Sequence, residues 1–166
     1  MKTILGSWPL LVSFLILVGC ESEPTFETMK KNFEVNRIAF NELQKIACEL
    51  GNVKQDFSYT DERYSYNPSR IDDKFRNKDL DRLLSIIGGQ AIVYEKNSSK
   101  ECSLAVPYFF TGNVGAGKTY GYSFQRNGFV LFDEKLHTVE NTLKVGMDLK
   151  YDRPIEDGWN FSFTQF

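Results

Sequence analysis

The stretch TGNVGAGKTYGYSFQRNGFVLFDE, residues 111–134, admits two readings that lead to different folds. From Gly112 to Thr119 it matches G-x-x-x-x-G-K-[ST], the loop that cradles phosphates where a strand runs straight into a helix. Asp133 after Phe129–Phe132 would then be the aspartate that holds magnesium, on a neighbouring parallel strand. The residues after the lysine decide against this. Tyr120, Tyr122 and Phe124 alternate, and Gly121, Asn127 and Gly128 break a helix, so the segment is a strand and then a turn. A parallel return needs a crossover of a dozen or more residues, and only 119–128 separate Lys118 from Phe129. The pattern predicts an antiparallel hairpin, KTYGYSF and GFVLFDE joined at Asn127-Gly128. GNVGAGKT becomes a glycine-rich hairpin loop with Lys118 in solvent, and neither nucleotide nor any other cofactor is expected.

Outward from this segment the same period of two recurs. Residues 90–96 and 102–110 read as strands, with Pro107 marking an edge or a bulge. At the C-terminus YDRPI and WNFSFTQF form a hairpin around EDG. Trp159, Phe161 and Phe163 share one face of that last strand, and Asn160, Ser162 and Thr164 share the other. The first half carries a period near 3.6 instead. Phe26, Met29, Phe33, Asn36, Phe40, Leu43, Ala47 and Leu50 recur at alternating steps of three and four, predicting one helix over 25–51, capped by Thr25 and stopped by Gly51. Val35, Ile38 and Ile46 lie off this stripe and suggest a second buried face. A second helix spans 77–89, with Asn77 as cap and Gly88-Gly89 as stop. Residues 53–73 read as a loop with room for a short strand, and 134–150 carry no assignable pattern. Helices first and strands after predict an α+β domain, an antiparallel meander with the helices across one face.

The N-terminus gives the compartment. MKTILGSWPLLVSFLILVGC has one early cation, Lys2, then an apolar run from Leu10 to Val18 that is short for a membrane span. Its end, Leu17-Val18-Gly19-Cys20, resembles the lipobox of bacterial lipoproteins. That resemblance implies removal of residues 1–19, diacylglyceryl modification of Cys20 and acylation, palmitate included, of its new amino terminus. Residues 20–25 would be the lipidated cysteine and tether, and 26–166 a single domain. With Glu21 rather than aspartate after the cysteine, the same resemblance favours the outer membrane over the inner. Loss of Lys2 takes the net charge from −2 to −3, which argues against nucleic acid and against electrostatic adhesion to anionic lipid. Cys48 and Cys102 are then the remaining thiols in an oxidising compartment, and a bridge between them is expected.

GKTYGYSF and YDRPIEDGWNFSF also resemble small lipid-anchored and exported bacterial proteins that pair a Gly-Tyr-x-aromatic strand with a terminal Trp-aromatic strand. This implies the same α+β architecture and no activity.

Catalytic residues are not evident. His137 is the only histidine and has no partner at metal-ligand spacing, so neither a metal site nor a triad is expected. Asp61-Glu62, Asp72-Asp73 and Asp79/Asp81 offer carboxylates, each equally suited to a solvated or capping role. The candidate interaction surface is Tyr59, Arg63, Tyr64 and Tyr66, since tyrosine and arginine favour interface centres; the equal alternative is a loop that folds its tyrosines back onto the sheet. The expected role is therefore binding at the envelope, to a membrane through the lipid and to another envelope protein, in the manner of an inhibitor or immunity protein, or to wall polymer. The alternatives are a carboxylate-dependent cell-wall or glycan hydrolase and a structural envelope lipoprotein.

Overall fold

The computed structural model describes residues 22–51, 58–60, 63–96, 99, 101–113, 116–126, 128–137 and 148–166. Residues 1–21 (the Leu17–Cys20 stretch among them), Asp61-Glu62 and most of the unassigned 134–150 stretch lie outside them. Three α-helices, α1 (Phe26–Val35), α2 (Arg37–Gly51) and α3 (Lys78–Ile87), accompany seven strands: β1 (Ser58–Thr60), β2 (Arg63–Tyr66), β3 (Ile92–Lys96), β4 (Cys102–Asn113), β5 (Ala116–Phe124), β6 (Leu149–Pro154) and β7 (Trp159–Gln165). The strands form one sheet in the order β1-β2-β3-β4-β5-β7-β6, with every ladder antiparallel. The fold is α+β, a strand meander with helices on one face.

The helix expected over 25–51 is two helices that meet at Asn36. Thr25 closes a capping box with Thr28 and starts α1 beside β7, where Phe26 meets Phe161 edge-on at 5.9 Å. α2 ends over β3 and β4 instead. One straight cylinder cannot serve both places, and the Asn pair accommodates the change of course. Asn36 Nδ2 donates to Asn32 Oδ1 at 2.7 Å, and Asn32 Nδ2 donates to the Ile87 carbonyl and the Tyr122 hydroxyl, both at 2.9 Å. Arg37 then clips the junction to the β6–β7 turn through Glu156 at 2.9 Å and Asp157 at 2.8 Å. Val35 and Ile38, expected to mark a second buried face, flank this junction and are 73% and 85% exposed. Phe33, Phe40, Leu43 and Ala47 of the main stripe are fully buried.

α3 begins at Asn77, whose side chain accepts from the Asp79 and Leu80 amides, and ends at Gly88 with φ +72°. The residues between α2 and α3, read as loop, include the two short strands β1 and β2. Phe40 lies at the centre of the core, with ring centroids 4.6 Å from Tyr122 and 5.2 Å from Trp159. Cys48 and Cys102 are joined by a disulfide, with Cα atoms 5.6 Å apart, and tie the last turns of α2 to the start of β4.

The hairpin expected between β5 and residues 128–134 does not form. The edge of β5 pairs with β7, where Tyr120, Tyr122 and Phe124 sit opposite Phe163, Phe161 and Trp159. That ladder stacks six aromatic rings on the core face, whereas FVLF is a continuous apolar run with no alternation to match. Residues 128–132 instead reach the outer edge of the sheet, where Leu131 makes a parallel bridge with Asp152 of β6. Pro107 lies in a central strand, at a bulge between Pro107 and Phe109.

Candidate functional site

Two of the four residues expected to form an interaction surface are core residues. Alternation along β2 turns Tyr64 and Tyr66 the same way, towards the helices, and each is 1% exposed. The Tyr64 ring stacks on Tyr94 at 5.0 Å, and its hydroxyl donates to the Ala47 carbonyl at 2.7 Å. The Tyr66 hydroxyl donates to Asp81 at 2.6 Å and accepts from the Asn77 amide at 2.9 Å. Burial, and then the bond to Asp81, push its pKa up to about 12. A tyrosine is amphipathic, and here the ring fills core space while the hydroxyl satisfies helix-end backbone. Arg63 is exposed, and the side chain of Tyr59 lies outside the described residues. The four therefore do not form one surface.

Three of the carboxylates named above, Asp72, Asp73 and Asp81, have structural partners. Asp72 caps a short 3-10 turn, and Asp73 lies 3.6 Å from Arg76. Asp81 accepts from Tyr66 and lies 3.6 Å from Arg76 at the rim of a polar cleft bounded by Asn67, Ser69, Arg70, Ser85 and Gln90. His137 packs its ring against Phe132 and Tyr151, and its Nδ1 accepts from the Asp133 amide at 2.7 Å.

The GNVGAGKT pattern lies on the β4–β5 hairpin. Gly112 pairs with Gly117, Thr111 with Lys118, and β5 rather than a helix follows the lysine. Lys118 is not free in solvent as expected. Its ammonium grips both carboxylate oxygens of Glu23, at 2.8 and 2.9 Å, and the Tyr120 hydroxyl donates to the same group at 2.6 Å. Lys118 first, and Tyr120 second, hold the Glu23 carboxyl below the usual glutamate range.

The side of the sheet away from the helices is built differently. Small and polar residues line it: Ala105 and Pro107 on β4, Thr119, Gly121 and Ser123 on β5, and Ser162 and Thr164 on β7. Gly121 is required by close approach, since a Cβ there would sit 2.7 Å from the Val106 carbonyl oxygen. All of these but Ser123 line a groove of about 210 Å³, together with Arg126 and Phe166. Arg126 is half-buried and donates through Nη1 to Ser162 Oγ at 3.0 Å, and no carboxylate pairs with it among the described residues. Beside the groove lies Asp152, 0% exposed, which accepts from Ser123 Oγ and from the Val130 amide, each at 3.2 Å. The arrangement presents one half-buried guanidinium beside the hydroxyls of Thr119, Ser162 and Thr164, suited to a ligand carrying a carboxylate.

Alternation made part of this face legible, for Asn160, Ser162 and Thr164 fall on it by period alone. Arg126 was missed because it lies in the turn, where no periodicity says which way a side chain points. No protein-family model, no curated protein and no solved structure matches the chain.

Proposed function

We propose that this protein is a lipid-anchored component of the bacterial cell envelope, favouring the outer membrane, and that it acts by binding through the helix-free face of its sheet. The Leu17-Val18-Gly19-Cys20 box supports the address. A disulfide between Cys48 and Cys102 is compatible with an oxidising compartment. The observation that carries the binding role is the groove at Arg126: a half-buried cation with a serine partner and, among the described residues, no carboxylate paired with it attracts one from a ligand. The occupant is an extended segment of another envelope polypeptide that presents an acidic side chain or a C-terminal carboxylate to Arg126 and lays its backbone along Thr119, Ser162 and Thr164.

In-cell photo-crosslinking tests this. A crosslinker at Thr164 is expected to yield a defined adduct that Arg126→Ala weakens, and one at Ile38 to yield none. Adducts of equal yield from both positions, or none from Thr164, would sink the binding face. Peptidoglycan cleavage by the mature chain that disappears in Asp81→Asn would move the protein into the hydrolase class. A wild-type level of palmitate incorporated by Cys20→Ala would remove the lipid anchor.

A further inference from the structure

The lysine of the phosphate-loop pattern has a partner that bears on how the domain sits. Glu23 is three residues from Cys20, so its Cα lies within about 11 Å of the acylated position. Both oxygens of Glu23 are held by Lys118, and one also by Tyr120, on β5. Two residues later Thr25 enters its capping box, so the chain from Glu23 onward is fastened to the domain. The nominal five-residue tether 21–25 is thereby shortened to the link between Cys20 and Glu23.

The fastening is at one end of the sheet. Beyond Lys118 the β4–β5 hairpin continues through Gly112–Gly117 and Asn113–Ala116, about 7 Å further. The C-terminal Phe166 lies at the same end, exchanging backbone hydrogen bonds with Gly117 at 2.9 and 3.0 Å and stacking on Phe110 at 6.5 Å. Both phenylalanines are nearly half exposed. The opposite end holds the β6–β7 turn, the Arg37 clip and exposed Ile38. The length of β7, about 20 Å, separates the two.

We propose that the domain stands end-on against the bilayer, with the Glu23–Lys118 pair as the clamp and the glycine hairpin with Phe110 and Phe166 as the contact with lipid. This rests on acylation of Cys20. The headgroup layer is roughly 5–8 Å deep on each side, so a link of this length leaves no room to hold the hairpin end clear of it. Phenylalanine is suited to the boundary between headgroup and acyl chain. With a net charge of −3 after loss of Lys2, the posture is set by the clamp and not by attraction to anionic lipid.

Depth-dependent quenching tests it. Protein isolated from membranes is put into phosphatidylcholine vesicles with or without brominated chains, after its mass has read the state of Cys20. The mature wild-type chain has one tryptophan, Trp159, buried near the far end, as background. A tryptophan introduced by Phe166→Trp is expected to be quenched about twofold, and one introduced by Ile38→Trp not at all. Glu23→Gln, which releases the clamp, lowers the quenching at Phe166→Trp. Equal quenching at both positions in acylated protein, or quenching unchanged by Glu23→Gln, overturns the posture alone. An unmodified mass removes the premise as well, and with it the lipid-anchored reading.

Discussion

The two faces of the β5–β7 ladder are made from the same backbone and do opposite things. Towards the helices, Tyr120, Tyr122, Phe124, Trp159, Phe161 and Phe163 interlock with Phe33 and Phe40 and exclude water. Away from them, Thr119, Gly121, Ser162 and Thr164 leave a groove. One residue along the strand changes a side chain from core to surface, so a period of two is enough to write both programmes into one sequence. The difference teaches that the aromatic residues of this ladder build the core, while small and hydroxylated residues on its other side leave room for the groove beside Arg126. Perturbations should therefore separate: large stability losses on one face, near silence on the other.

The largest effect is expected at Phe40. Its ring is fully buried against Phe33, Tyr122 and Trp159, and Phe40→Ala leaves a cavity where two helices and the sheet meet. A loss of about 3–5 kcal/mol in urea unfolding is expected. A loss below about 1 kcal/mol would mean that this face is not a packed core.

Next comes the staple across that core. The disulfide closes a loop with a sequence separation of 54 residues. In the chain-entropy view it contributes about 4 kcal/mol, lessened by any structure that persists in the reduced unfolded chain. The double substitution Cys48→Ser, Cys102→Ser should lower the unfolding midpoint without changing the groove. Two alkylatable thiols in protein purified from the envelope would show that packing alone joins helix to sheet.

Tyr66 sharpens the comparison, because it lies on the core face yet carries a polar atom. Tyr66→Phe keeps the ring and removes a hydroxyl that satisfies both the Asn77 amide and Asp81. A cost of about 1–3 kcal/mol is expected, since the amide at the start of α3 is left without that partner. If Tyr66 were instead an interface residue, the substitution would weaken partner binding and leave stability unchanged.

How much of this was legible follows from what each signal encodes. The faces of β5 and β7 were readable because alternation is local. Asn77 and Gly88 were readable because capping chemistry depends on nearest neighbours. The partner of β5 was not, because Asn127-Gly128 is a local hairpin signal and the pairing with β7 is decided by six rings brought together over forty residues of chain. The break at Asn36 showed only as a polar gap in the apolar stripe. Its cause, a hydrogen-bonded chain from Asn36 through Asn32 to Ile87 and Tyr122, joins residues distant in sequence. For Tyr64 and Tyr66 the polar neighbourhood leaves surface and core both open, their spacing of two puts them on a common face, and only the packing of the helices over that face decides for the core.

The open face should respond in the other direction. Arg126→Ala and Thr164→Ala remove side chains that the core does not use. Each should change unfolding free energy by no more than about 0.5 kcal/mol, and Arg126→Ala should at the same time lower the yield of the adduct formed by a crosslinker at Thr164. A destabilisation comparable to that of Tyr66→Phe would show that the groove is a structural seam.

The smallest effect on the core face is expected at Lys118, which meets Glu23 beside Tyr120. The pair is exposed, and an exposed pair contributes about 0–1 kcal/mol. Lys118 and Tyr120 depress the Glu23 pKa, so the folded form favours the charged carboxylate. The sign follows: the contribution is fully present above the ordinary glutamate value of 4.5 and is lost as pH falls through the lowered one. Lys118→Ala should therefore cost at most about 1 kcal/mol at pH 7, and the difference from wild type should shrink as pH drops below 4.5. Unfolding midpoints of the two chains, measured across that window, read this directly. A gap that persists at low pH would assign Lys118 a role other than holding the Glu23 carboxylate. Specific ATP binding lost in the same variant would revive the phosphate-loop reading, against the strand that follows the lysine.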